Sequence, residues 1–229
     1  MLPLSLSEIS KSATTTIAVI GPFQNVTTLM QGGYSGSNLL ITQQSPGQIL
    51  ARRVASFNAA LDGNAGAKPI RLAWHTGVAG TAVAAPSTAS AGNGTSLIAD
   101  AVTVAGASDV AAVLLFVGDV SVSEFTDRTD NGLIYAQEQL VKRIAALGKP
   151  TAMVTIAGHS IALPEECLPK ANAKATVNAV LYAFLPSQAG GTAVISTLLG
   201  DSSPAGRLPV TFYDRTILRD RSPFDMSLR

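Results

Sequence analysis

Apolar residues in this chain fall into short dense runs, and between them lie stretches in which they recur at helical spacing. Residues 17–20 are apolar and mostly β-branched and are stopped by Gly21-Pro22, which predicts a strand. Residues 45–60 carry Ile49, Leu50, Val54 and Phe57 at helical spacing, with Pro46 near the start, and predict a helix. Residues 70–74 read as a second strand. Residues 78–93, rich in Gly, Ala, Ser and Thr, read as a surface loop, after which Thr95 is expected to cap a helix running to about residue 105. The apolar run 110–117, bounded by Asp109 and Asp119, has the composition of a parallel strand buried on both faces. A helix is expected over 133–147, ended by Gly148, then strands at 151–156 and within 175–184, a helix over 188–199, and a last short strand at 208–212. This alternation predicts an α/β fold: a mostly parallel sheet with helices on both faces, an α/β sandwich forming a single domain over residues 17–229 behind a lead segment at 1–16.

Composition narrows the function classes. In 229 residues, 47% are hydrophobic, enough for a large buried core, and aromatics are only 5%, so aliphatic side chains fill it. A net charge of +1 gives no electrostatic basis for binding nucleic acid or an anionic membrane. The apolar runs fall far short of the roughly 20 residues that span a bilayer. Residues 1–11 lack the basic and apolar regions of a signal peptide. Cys167 is the single cysteine and no internal disulfide is expected; with only two histidines, His75 and His159, no metal site or cofactor is expected either. Asn25-Val26-Thr27 and Asn93-Gly94-Thr95 fit the N-glycosylation pattern.

The candidate chemistry lies just after the predicted central strand. Asp119, Glu124, Asp127 and Asp130 fall close together with Arg128, in a chain that is only 14% charged. The carboxyl end of a parallel strand is where open α/β sheets place ligand chemistry.

Several segments, taken in order, resemble one family. Glu124 is followed by Asp127-Arg128-Thr129-Asp130 and then by Gln137-Glu138-Gln139-Leu140-Val141; Lys149-Pro150 opens the next strand; Pro186-Ser187-Gln188-Ala189-Gly190-Gly191 stands where the family has Pro-Gly-Gln-x-Gly-Gly; and Gly200-Asp201, Pro204-Ala205-Gly206-Arg207-Leu208-Pro209 completes the series. The chain resembles the second, α/β-sandwich domain of glycoside hydrolase family 3 from about residue 17 to residue 229. Ile17-Ala18-Val19-Ile20-Gly21-Pro22 with the following Gln31-Gly32-Gly33-Tyr34, and Asp225-Met226-Ser227-Leu228-Arg229, are similar to the fungal β-xylosidase branch of that family.

That resemblance implies hydrolysis of O-glycosyl bonds as the C-terminal part of a retaining exo-acting β-xylosidase, with extracellular location usual for the parent family. A β-glucosidase piece and a non-catalytic carbohydrate-binding or remnant domain are the alternatives. Retention needs two carboxyl groups about 5 Å apart, one attacking the anomeric carbon and one protonating the leaving oxygen. In the family the nucleophile is an Asp on a (β/α)8 barrel and the acid/base a Glu on the sandwich loop. By its offset from Asp127-Arg128, Glu124 matches that acid/base. A barrel needs roughly 250 residues, so the nucleophile is expected on a separate barrel domain, in cis or in trans, and the chain alone is expected to be inactive. The partner ligand is then a β-linked xylo-oligosaccharide or glucoside. Gln31, Tyr34, Asp119 and His159 fall on loops of the ligand-facing edge and are the substrate-binding candidates; Asp127, Arg128 and Arg207 are expected to hold the loop together. The chain departs from the family at Val122, where the xylosidase branch carries a further Glu, at Tyr135-Ala136 and Ser187, where the family has Pro-Gly and Gly, and at Ala157-Gly158-His159, where it has a Gly-Gly-rich strand end.

Overall fold

A computed structural model describes residues 2–32, 44–61, 66–79, 91–119, 130–168, 176–217, 221–222 and 224–227. Its frame is a five-stranded sheet in the order β2-β1-β3-β4-β5, with every pairing parallel. The strands are β1 (Thr16–Ile20), β2 (Arg71–His75), β3 (Val110–Asp119), β4 (Thr151–Ala157) and β5 (Ala179–Phe184). The helices are α1 (Leu6–Lys11), α2 (Pro46–Ala59), α3 (Ala91–Gly106), α4 (Tyr135–Ala145) and α5 (Gly190–Leu199).

Strand alternation splits the core in two. Ile17, Val19, Leu114, Phe116, Val154 and Ile156 face one layer, which α2 covers with Ile49, Leu50 and Val54 and α5 with Val194, Ile195 and Leu198. Ala18, Ile20, Val113, Leu115, Val117 and Met153 face the other, covered by Ile98, Ala101 and Ala105 of α3 and Leu140, Val141 and Ile144 of α4. Both faces of β3 are therefore buried, which is why its sequence is a continuous apolar run rather than an alternating one. The expected α/β sandwich, a parallel sheet with helices on both faces, is the fold observed.

Helix ends follow local chemistry. Ser45 accepts from the Gln48 amide while the Gln48 side chain accepts from the Ser45 amide, a reciprocal capping box at the start of α2. Gly200, at φ +87°, ends α5 in the left-handed conformation. Residues 2–15, in the expected lead segment, carry α1; Leu4 donates to Leu198 O at 2.7 Å, and Leu4 and Ile9 join the first core layer.

Three details of the sequence-based prediction need correction. The helix expected to begin at a Thr95 cap begins at Ala91, so residues 91–93 of the expected loop are helical and Thr95 lies within the helix. Residues 208–212 form no strand. Pro209 lacks the N–H that a ladder needs, Leu208 and Val210 are each 55% exposed, and Phe212 instead sets its ring edge-on to Tyr182 and Phe184 of β5. The segment lies against the side chains of β5 instead of extending the sheet. The short helix α1 had no counterpart in the prediction.

Leu114, fully buried on β3, and Leu208 therefore report opposite environments. Leu114→Ala is expected to cost about 3 kcal/mol and Leu208→Ala less than about 0.5 kcal/mol in urea unfolding; similar losses at both positions would contradict this placement.

Candidate active-site edge

The strand order places a topological switch between β1 and β3, whose connections leave in opposite directions across the sheet. Ligands in such folds bind at the carboxyl ends of the strands near this point. Here β1 stops at Ile20, opposite Leu115, while β3 continues to Asp119. Beyond Leu115, β3 has a strand neighbour on the β4 side only.

The exposed flank of the β3 end is closed by a side chain. Gln137 Oε1 accepts from the Gly118 amide at 2.9 Å, and its Nε2 donates to Gly118 O at 2.8 Å. One carboxamide thus satisfies a backbone donor and acceptor as a neighbouring strand would. Gln137 is itself 1% exposed, so neither backbone group has water as a substitute partner. Gly118 admits no side chain: a Cβ there would lie 2.0 Å from Ile156 O. The last rung of β3, from which the acidic segment departs, is fixed by these contacts.

Asp119 follows, fully buried. His159, just past β4, brings Nε2 to 3.8 Å from Asp119 Oδ2; this is too long for a direct hydrogen bond and ionic only with a protonated imidazole. The Tyr182 hydroxyl of β5 donates to His159 O and so fixes that loop from below. Burial pushes the Tyr182 hydroxyl above its ordinary pKa, and the Asp119 charge adds to the effect, so it remains a donor at every physiological pH.

Gln31 reaches the same edge from the loop after β1. Ser187, after β5, donates its amide to Met30 O at 2.9 Å, and a Leu185 methyl lies in van der Waals reach of both Gly32 and Gly158. Gln31 Nε2 is buried and has no hydrogen-bond partner among the described residues. Ser187 stands at φ +63°, where the family's Pro-Gly-Gln has glycine, a conformation that costs a non-glycine residue about 1–2 kcal/mol.

Gln31, Asp119 and His159, three of the sequence-predicted site residues, thus share one edge. Tyr34, Glu124, Asp127 and Arg128 lie outside the described residues. Arg207, expected as a clamp, is exposed and makes no ion pair among the described residues. The clamp observed is Arg215: its Nε lies 3.0 Å from Asp130 Oδ1, its Nη1 2.5 Å from Glu138 Oε2, and its Nη2 donates to Leu133 O at 3.2 Å. No short motif marks Arg215, which is separated from these partners by 77 to 85 residues. Among the described residues no group of side chains is suited to hold a metal ion, and no helix is long and apolar enough to cross a membrane.

The model of the glycosyl hydrolase family 3 C-terminal domain matches residues 1–225. The chain belongs to that family. Its relatives include the exo-1,4-β-xylosidase bxlB of Emericella nidulans, 30% identical over 217 residues, and a probable exo-1,4-β-xylosidase bxlB of Aspergillus fumigatus, 32% identical over 216. Each alignment covers 93% of this chain and 24% of the relative, so the chain spans about a quarter of their length. Among solved structures, a family 3 exo-β-xylosidase, XlnD, in complex with a xylobiose aziridine activity-based probe superposes with a TM-score of 0.71 at 25% identity, covering 100% of this chain and 25% of that one. A β-glucosidase of Bifidobacterium adolescentis gives 0.59 at 25% identity, covering 89% and 24%.

Other family segments prove to be framework. Lys149 Nζ donates to Ala107 O and Val110 O, fastening the α3–β3 turn. Asp201 receives both terminal nitrogens of Arg53, at 2.5 and 3.0 Å, tying the loop after α5 to α2. This pairing lowers the Asp201 pKa and raises that of Arg53.

Two predictions follow from these environments. Gln137→Leu strands a buried N–H and C=O and is expected to cost about 2–4 kcal/mol by chemical denaturation, at about 1–3 kcal/mol per unsatisfied group; a loss under about 0.5 kcal/mol would remove the pairing from this account. Burial, with the Glu166 charge second, pushes the Cys167 thiol up to about 12. Thiolate then falls to about one part in ten thousand at pH 8, against about a quarter for a free cysteine. A thiol-disulfide dye at pH 8 should leave the native chain unlabelled and label it in guanidinium; rapid native labelling would contradict that environment.

Proposed function

We propose that this chain is the acid/base-bearing C-terminal part of a retaining, exo-acting β-xylosidase that degrades xylan-derived oligosaccharides outside the cell. Glu124 is the general acid/base, and the nucleophilic carboxylate resides on a separate (β/α)8 barrel domain, in cis or in trans. What supports this reading is the position of the acidic motif in the sequence, a few residues beyond the carboxyl end of the central strand β3, which lies beside the topological switch and whose Gly118 is held by Gln137.

The chemistry is a double displacement. The barrel carboxylate attacks the anomeric carbon while Glu124 gives its proton to the departing glycosidic oxygen. Glu124 as carboxylate then takes a proton from water, which attacks the glycosyl-enzyme and restores the acid. A general acid must be protonated at working pH, a state that apolar or anionic surroundings favour. Gln31, Tyr34, Asp119 and His159 bind sugar hydroxyls or rings; Gln31 Nε2, buried and with no hydrogen-bond partner among the described residues, supports its part in this. Asp127 and Arg128 shape the acidic segment. A second reading, a carbohydrate-binding domain without catalysis, is favoured by one observation: Val122 stands where the xylosidase branch has a further Glu.

The two readings separate in a fused enzyme carrying this chain in place of the matching quarter of the E. nidulans xylosidase. Glu124→Gln should slow xylobiose hydrolysis by about 10²- to 10⁴-fold. It should largely spare the first step with 2,4-dinitrophenyl β-xyloside, whose leaving group needs no proton. Undiminished xylobiose turnover by Glu124→Gln would overturn the assignment, and xylobiose binding without turnover by the parent fusion would favour the binding domain.

A further inference from the structure

The turn that follows β1 holds an asparagine whose reactive end neither the fold nor the proposed reaction uses. β1 runs through Gly21 into a short 3-10 turn, Pro22–Asn25, with Val26 extended behind it. Pro22, Phe23 and Gln24 are buried, and Val26 belongs to the first core layer. The Val26 amide donates back to Phe23 O and closes the turn. Between these buried residues Asn25 is exposed. The backbone on both sides is thus anchored, and the asparagine stands at the surface of a fixed turn.

Its side chain is held by the oxygen. The Ser45 hydroxyl accepts from the Gln48 amide at 3.1 Å and gives its own proton to Asn25 Oδ1 at 2.9 Å. A hydroxyl has one proton to give, so the carboxamide must offer it the oxygen. Asn25 Nδ2 makes no hydrogen bond among the described residues. Thr27 is spent on backbone alone: its carbonyl accepts from the Met30 amide at 3.1 Å, while its hydroxyl makes no hydrogen bond among the described residues. The fold therefore uses the asparagine oxygen and leaves both the amide nitrogen and the Thr27 hydroxyl over.

Those two leftover groups are the ones that the pattern Asn25-Val26-Thr27 requires for attachment of an N-linked sugar. A pattern this short recurs by chance, and the geometry adds what the pattern lacks. Attachment at Nδ2 leaves the side-chain oxygen an acceptor, so the Ser45 hydroxyl that caps α2 keeps its partner. A sugar is bulky and polar and needs a surface position, which Asn25 has.

We propose that Asn25 is a site of N-linked glycosylation in the secreted chain. The donor is an oligosaccharide carried on a lipid diphosphate. Asn25 Nδ2 bonds to the anomeric carbon of its first sugar, the bond from that carbon to the diphosphate oxygen breaks, the lipid diphosphate leaves, and Nδ2 gives up one proton. This rests on the extracellular placement proposed above, because the donor belongs to the secretory route.

The full 229-residue chain, secreted from yeast behind a leader of the host, tests it. An amidase that releases N-linked sugars leaves an aspartate at the attachment position, and release in ¹⁸O-water marks it. Peptide mapping should find the label at position 25, with Asn93 read separately on its own peptide. Thr27→Ala should lose the sugar at position 25 and Thr27→Ser should keep it. Both variants leave the Asn25–Ser45 bond in place, so their urea midpoints should match the parent after sugar release. Should Thr27→Ala not be secreted, Asn25→Asp serves instead, since it keeps an acceptor for Ser45 and removes the nitrogen; it should lack the sugar. An unlabelled position 25 in the secreted parent, or sugar that persists there in Thr27→Ala, would overturn the proposal. The host leader delivers the chain wherever its own source places it, so that failure leaves the extracellular reading standing. Recovery of the native chain only from inside its own cells, beside a labelled position 25 in yeast, would overturn the extracellular reading and leave the site.

Discussion

The carboxyl edge depends on the pairing of one side-chain amide with one glycine backbone. β3 is the central strand, yet its last residues outrun β1 and have no strand on that side. A strand end with open N–H and C=O groups inside a packed domain is unstable in position as well as in energy. Gln137 supplies both missing partners and is held on α4, whose Leu140, Val141 and Ile144 are anchored in the second core layer. The rigidity of the helix–sheet interface thereby reaches Gly118 and Asp119. Leucine in place of Gln137 would fill the space and leave both backbone groups unsatisfied; glutamate would supply acceptors alone. Only an amide of this reach carries donor and acceptor on one planar group.

The same division between frame and chemistry runs through the family segments. Lys149 and Asp201, conspicuous as charges in the sequence, are spent on turns and helix ends. Gly191 lets the start of α5 approach the Gln44 carbonyl, which a Cβ would meet at 2.1 Å. These residues fix the register of α2, α3 and α5 around the sheet. A family signature of this kind identifies the fold strongly and identifies chemistry only where it falls on the ligand edge.

Elements with redundant signals were legible in the sequence. β3 and β4 are buried on both faces, so each reads as an apolar run with little ambiguity, and α2 announces itself by Pro46 and the spacing of Ile49, Leu50 and Val54. Residues 208–212 misled because alternating Leu208, Val210 and Phe212 resemble a half-buried strand; the deciding facts are Pro209 and the rings on β5. α1, six residues long, is too short to show a period. At the site, Asp119 and His159 were legible because strand ends locate them. Arg215 was not, because a sequence supplies no rule for pairing a cation with carboxylates some 80 residues away; Arg128 and Arg207 drew the expectation because they lie inside family motifs.

On the proposed reading, the edge divides its labour with a barrel domain that carries the nucleophile. A proton donor on a connecting segment can be moved without disturbing the fold, which suits a residue that must meet a carboxylate built on another domain. Such freedom is useful only if both ends of the segment are fixed. Here the departing end is tied by neutral, buried hydrogen bonds and the returning end by charged, half-exposed ones. The first kind is insensitive to its surroundings. The second changes with whatever covers it, because excluding water strengthens an ion pair that already has its geometry. Arg215, Asp130 and Glu138 would therefore grip more firmly once a second domain closed over this edge than they do in the separated chain.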